Sequence, residues 1–306
     1  ADMAKYMTYA KAEERCVRLQ STLDLSDSEL KKVVICFPPL LGYNVEATLE
    51  PKLQWLQKRL DLGEAQLRKL VMTLPQLLGY SVENNIALKL EWLRTRLELD
   101  DAGLRKMVLA LPNLLSYSVE DNLAPKLEWL RRRLDLDDAG LRKVVLGRPQ
   151  LFCLSVEDNL APTLDWLQTR LDLDAEQLRK IVLRLPPVLG YSVEANTEPK
   201  LEWLQKRLDL DDLGLRKMVM TLPQLLGYSV EDNLAPTLEW VQTRLDLDES
   251  GLRKMVLTLP NLLGYSVEDN MAPKLDWLQT RLGLDEAELK KMVLTLPALL
   301  SYSVED

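Results

Sequence analysis

The chain has 306 residues, 47% hydrophobic and 28% charged, with a formal net charge of −8 and no histidine. Lacking histidine, it lacks the commonest general base and the commonest metal ligand, so histidine-based catalysis and a histidine metal site are excluded. The acidic balance offers no bulk pull toward nucleic acid or an anionic membrane, and no apolar run approaches the roughly 18 residues a spanning helix needs.

In chain order, residues 1–37 come first and fit the rest of the sequence only in part. Ser26 to Glu29 reads SDSE, a capping box opening a helix over residues 26–37. The half before it departs from everything downstream, with Arg18 where later units carry tryptophan. The segment ADMAKYMTYA is not a convincing presequence. The chain reads as part of a longer protein, so a targeting peptide is expected outside this segment.

From residue 38 a single text recurs. Its opening proline returns at Pro38, Pro75, Pro112, Pro149, Pro186, Pro223, Pro260 and Pro297, a step of 37 residues. The tryptophans Trp55, Trp92, Trp129, Trp166, Trp203, Trp240 and Trp277 keep the same step. So strict a period means one supersecondary unit stacked on itself. The expected division is an atypical N-terminal capping unit (1–37), seven repeats (38–296) and the start of a truncated further repeat (297–306).

Residues 112–148 stand for the repeat. PNLLS is too short for an α-helix and suits a 3₁₀ turn. Ser118, with an acid three residues on, predicts a helix cap, and Val119, Leu123, Leu127, Leu130 and Leu134 form one helical face. Pro125 predicts a first turn at 119–124 and a main helix beginning beside it, where a missing N–H costs nothing. Asp137 is the expected cap of a second helix, with Leu141, Val144, Val145 and Arg148 on one stripe and Leu146 on another. That helix is expected to pack on its partner and on the next unit. Proline ends it. The fold class that follows is an all-α helical-repeat solenoid, right- or left-handed.

Cys16, Cys36 and Cys153 have unrelated spacings, which argues against a disulfide framework and for a reducing compartment. Residues 147–154 form the most deviant junction, with Cys153 for the usual glycine or serine and Leu154 for tyrosine. A repacked joint is the favoured reading there, over a functional thiol.

The text P-x-L-L-x-Y-S-V-E-x-N-L-x-P-K-L-x-W-L, followed by L-x-L-(D)-x-x-x-L-R-K-x-V-x-x-x-P, resembles the mTERF family, the mitochondrial transcription termination factors and their organellar relatives. The likeness covers the chain from residue 24 onward. It implies a left-handed solenoid of units, each two antiparallel helices and a 3₁₀ turn. It also implies nucleic-acid binding, to double-stranded DNA or structured RNA, in the gene expression of a mitochondrion or chloroplast. This chain departs from the family in the near-identity of its repeats, which suggests recent duplication or a consensus-like design, and in its acidic charge.

Charge placement within the repeat is ordered. Five of the six acids Glu120, Asp121, Glu128, Asp135, Asp137 and Asp138 lie at or just before helix N-termini, where they complement the dipole. At 100° per residue, Lys126, Trp129 and Arg133 share a flank of the first helix. The matching bases are Lys52, Arg59, Lys89, Arg96, Lys126, Arg133, Arg170, Lys200, Arg207, Arg244, Lys274 and Arg281, with Thr163 and Thr237 at two lysine positions. They either form a ladder of phosphate contacts or bond carbonyls of a neighbouring helix. The tryptophans are favoured as seam fillers over stacking partners. Arg105, Lys106, Arg142, Lys143, Arg179, Lys180, Arg216 and Lys217, in a pair that recurs at Arg68/Lys69 and Arg253/Lys254, are secondary phosphate candidates that also offset a helix dipole. Base-specific readout is not supported, because only the position pair at 131/132 varies freely.

No G-x-G-x-x-G, phosphate loop, zinc-spaced cysteine pair or G-x-S-x-G occurs. Paired acids recur in most units, marking scaffold where a catalytic pair is expected once. The expectation is a non-enzymatic binder of nucleic acid with no cofactor, no metal, no small-molecule substrate and no membrane partner. The alternatives are a protein-interaction scaffold, or a synthetic or duplicated array without retained binding.

Overall fold

A computed structural model describes residues 9–301. The chain divides at Cys153–Leu154, inside the deviant junction, into two compact units, 1–153 and 154–306. Each is an all-α helical-repeat solenoid; sixteen α-helices lie among the described residues.

In the reference repeat a 3₁₀ turn (Pro112–Ser116) leads to Ser118, whose hydroxyl accepts from the Asp121 N–H at 3.0 Å. The capping box is only half made, because the Asp121 carboxylate takes the Ser118 hydroxyl at 2.9 Å. Residues Val119–Leu123 form one wide turn, closed by Leu123 N–H to the Ser118 carbonyl. The first helix (Ala124–Leu134) starts one residue before Pro125, in a turn where no intrahelical donor is needed. Asp137 caps the second helix (Asp138–Gly147), accepting from Gly140 N–H at 2.7 Å.

Between the helices the chain turns through left-handed residues: Asp24, Asp61, Glu98, Asp135, Asp172, Asp209 and Asp246 have φ of 45–50°, and Gly283 fills the same place in the last repeat. A left-handed carboxylate residue is strained relative to glycine, and most of these carbonyls are held by an arginine described below.

Leu123, Leu127, Leu130 and Leu134 are buried as expected, with Leu141, Val144 and Val145 against them. Val119 and Leu146 are half-exposed, so the second apolar stripe is weaker than its pattern suggests. Neighbouring repeats meet in two ways within a unit. Second helices pack on second helices (Asp101–Ala110 on Asp138–Gly147), and the first helix of one repeat packs on the second helix of the next (Glu50–Leu60 on Asp101–Ala110).

At the N-terminal side the Ser26 capping box is complete, with Glu29 Oε2 accepting from the Ser26 N–H at 2.9 Å and from Arg68 Nη2 at 2.5 Å. The Ser26 hydroxyl, then its backbone N–H, then Arg68 lower the Glu29 carboxyl from 4.5 to about 2. A carboxyl depressed in the fold stabilises it above its unfolded value and loses that contribution as pH falls toward about 2. Hydrogen exchange of residues 27–36 should therefore accelerate between pH 4.5 and 2, and Ser26→Ala should move that acceleration to higher pH.

The Cys153 junction is packed within the first unit: the Tyr117 hydroxyl donates to Cys153 Sγ at 3.3 Å, and burial with this contact pushes the Tyr117 phenol up to about 12. The three cysteines are unpaired.

Candidate nucleic-acid interface

The first-helix bases sit in the seams between repeats. Lys89 and Lys126 donate to the Leu115 and Phe152 carbonyls at 2.6 Å, Lys200 to Leu226 at 2.6 Å and Lys274 to Leu300 at 2.8 Å. Lys52 donates to Leu78 in the same register. Each acceptor lies 26 residues on, in the 3₁₀ turn opening the next repeat. Lys200 and Lys274 also donate to Asn196 and Asn270 Oδ1 at 3.0 and 2.9 Å. Lys52, Lys89, Lys200 and Lys274 are no more than 8% exposed. Burial pushes the Lys52, Lys89 and Lys200 ammonium groups below the usual lysine value, and Glu83, Glu120 and Glu231 offset part of that.

The arginines four residues beyond tryptophan reach the second helix of the next repeat. Arg59 meets Asp101 at 2.9 Å, Arg96 meets Asp138 at 3.6 Å, and Arg170 meets Glu198 at 3.0 Å and Asp212 at 3.4 Å. Arg207 meets Glu249 at 2.5 Å and Arg244 meets Glu286 at 2.6 Å. Arg133 is half-buried at the same position, and Arg281 is exposed. The tryptophans are half-buried except Trp277, 49% exposed. Arg59, Arg96, Arg170, Arg207 and Arg244 meet carboxylates, and the last three also meet glutamine amide oxygens.

Of the two roles expected on this flank, a phosphate ladder or bonding to a neighbouring helix, Lys52, Lys89, Lys126, Lys200 and Lys274 and Arg59, Arg96, Arg170, Arg207 and Arg244 have the partners of the second. The flank lies about 90–110° from the leucine stripe, and stacking covers it with the next repeat. Their charges close seams.

The Arg-Lys pair of the second helix divides between two roles. Arg105 bonds the Asp61 carbonyl at 2.9 Å and its carboxylate at 2.5 Å, and Arg142 does the same at Glu98 (3.0 and 2.9 Å). Arg216 holds Asp172 and Arg253 holds Asp209 in the same way. Each thus clamps the left-handed residue 44 positions back. Arg179 is half-buried at the same place.

The adjoining lysine points outward. Lys69, Lys106, Lys143, Lys180, Lys217, Lys254 and Lys291 are all exposed. Lys180 pairs with Glu176 at 2.7 Å; among the described residues the other six make no ion pair. Lys254 and Lys291 line one groove of ≈ 730 Å³ with Thr258, Thr295 and Leu294, between the second helices of consecutive repeats. Within each unit one ammonium per repeat thus stays exposed on the second helix; Lys58 and Lys206 are exposed on first helices.

Reasoning from sequence left this row of second-helix lysines among secondary candidates and missed Lys291, which follows a lysine rather than an arginine. A signal was present: a fixed acid stands 42 residues after each first-helix arginine in most repeats, and an acid 44 residues before each second-helix arginine, whereas the lysine has no such counterpart.

No described helix is long and apolar enough to cross a membrane. A comparison with curated proteins finds no match. The model of the mTERF family matches residues 7–96, 93–211 and 205–306, three overlapping stretches that cover nearly the whole chain. With the 37-residue helix pairs and 3₁₀ turns described above, this places the chain in the mTERF family.

Proposed function

We propose that this protein is a non-catalytic nucleic-acid binder acting in organellar gene expression, and that the exposed second-helix lysines carry its phosphate contacts. The observation behind the reading is selective pairing: the seam bases have carboxylate or carbonyl partners, while at a constant register the second-helix lysine of every repeat but that of Lys180 is left to solvent. A regular row of ammonium groups suits a polyanion with a regular charge spacing. Identical repeats suit backbone and shape recognition, of duplex DNA or structured RNA, better than base readout.

Fluorescence anisotropy with a labelled 30-base-pair duplex and a structured RNA checks this. With six or more phosphate contacts, affinity should fall at least ~10³-fold between 50 and 200 mM salt. Absence of binding at 50 mM salt would overturn the proposal. It would favour a protein scaffold, for which the exposed glutamates Glu46, Glu83, Glu120, Glu157, Glu194, Glu231 and Glu268 offer one carboxylate per repeat to a basic segment.

A further inference from the structure

Five repeats place a lysine ammonium in the same seam position, and the array thereby describes its own ligand for the repeats that lack it. The ammonium is met by three groups in constant register: the carbonyl 26 residues on, the asparagine four residues back in two repeats, and the glutamate 31 residues on, whose field acts on Lys52, Lys89 and Lys200. At residue 163 the chain carries threonine, 8% exposed, which brings no cation. The same three registers are filled there by Leu189, Asn159 and Glu194. All three line a crevice of ≈ 510 Å³ together with Thr163, Trp166 and Asp158. The acceptor set is retained where the donor is lost.

We propose that the crevice at Thr163 binds a linear aliphatic diamine. One ammonium takes the position held elsewhere by lysine Nζ, donating to the Leu189 carbonyl and Asn159 Oδ1. The methylenes lie along Trp166, and the second ammonium reaches the Asp158 carboxylate, with Glu194 compensating the pair. An alkylammonium on an aromatic wall beside carboxylates has charge, shape and hydrogen-bond capacity matched. Asn159 Oδ1 already accepts from the Ser155 N–H at 3.0 Å, which fixes the amide and leaves its second lone pair for the ligand. Thr237 repeats the arrangement with Asn233, Leu263 and Glu268, and Asn233 Oδ1 is buried without a hydrogen-bond partner. The Asn85 and Asn122 oxygens are likewise buried without a hydrogen-bond partner.

The site does not depend on nucleic-acid binding, and its test uses none. Isothermal titration of the full chain with 1,4-diaminobutane at constant ionic strength should give saturable binding. n-Butylamine should bind at least tenfold more weakly and tetramethylammonium not at all. The double variant Thr163→Lys/Thr237→Lys supplies its own ammonium, so it should melt higher than the parent and no longer take up the diamine. Glu194→Gln, which leaves the packing intact, should weaken binding at least tenfold if the lysine variant fails to fold. Equal heats for tetramethylammonium, or diamine binding unchanged in a folded Thr163→Lys/Thr237→Lys or in Glu194→Gln, would overturn the assignment, as would no saturable heat in the parent.

Discussion

Replacing Lys106, Lys143, Lys217 and Lys254 together with glutamine should weaken duplex binding by about 10²–10³-fold at low salt and leave the fold intact. Each phosphate contact contributes about 0.9 to the slope of log K against log salt, so four losses should flatten that slope by about 3.6. These side chains are exposed and make no ion pair among the described residues. Surface changes of that kind stay within about 0.5 kcal/mol of the parent in stability, so helix content and urea midpoint should not move. An unchanged slope would place the contacts elsewhere.

The seam bases should behave oppositely. Lys200→Met keeps the buried stem and removes the ammonium, stranding the Leu226 carbonyl and Asn196 Oδ1 that it serves. Leaving a buried acceptor unmet costs about 1–3 kcal/mol, and the loss falls on the interface between two repeats. In a quasi-one-dimensional array that weakens coupling to the neighbour more than either repeat itself. Urea unfolding of Lys200→Met should show an earlier and broader transition, with fast hydrogen exchange concentrated in Pro223–Gly227 and Glu198–Leu208. Lys254→Met, an outward lysine, should unfold like the parent. Identical curves for both variants would mean the buried ammonium contributes no net stabilisation.

The contrast explains how much was legible in the sequence. Proline and tryptophan periodicity, the Ser26 and Asp137 caps and the placement of Pro125 follow from local chemistry, and the chain obeys them. The left-handed turn was signalled too, since Gly283 stands where other repeats have Asp or Glu, though the acids around Asp135 read as simple capping. What local pattern could not supply was the partner of each base. Arg142 and Lys143 are adjacent and chemically alike, yet 100° of helical rotation sends one onto Glu98 of the preceding repeat and the other into solvent. Lys126 and Arg133 lie on a flank that looks polar on a helical wheel and becomes interior only when a second copy of the unit packs on it. The net charge of −8 is silent on placement in the same way: many of its carboxylates are engaged by seam arginines, while the second-helix lysines stay exposed.

The central claim is that this chain divides its lysines between seams and an exposed track that meets nucleic acid. Amine acetylation read residue by residue by mass spectrometry, with and without a saturating duplex, tests it most directly. Lys69, Lys106, Lys143, Lys217, Lys254 and Lys291 should react readily in the free protein and become protected when the duplex is added, while Lys52, Lys89, Lys200 and Lys274 stay unreactive throughout. A bound duplex that leaves the outward row fully reactive, or seam lysines that react as fast as the outward ones in the free protein, would contradict the account.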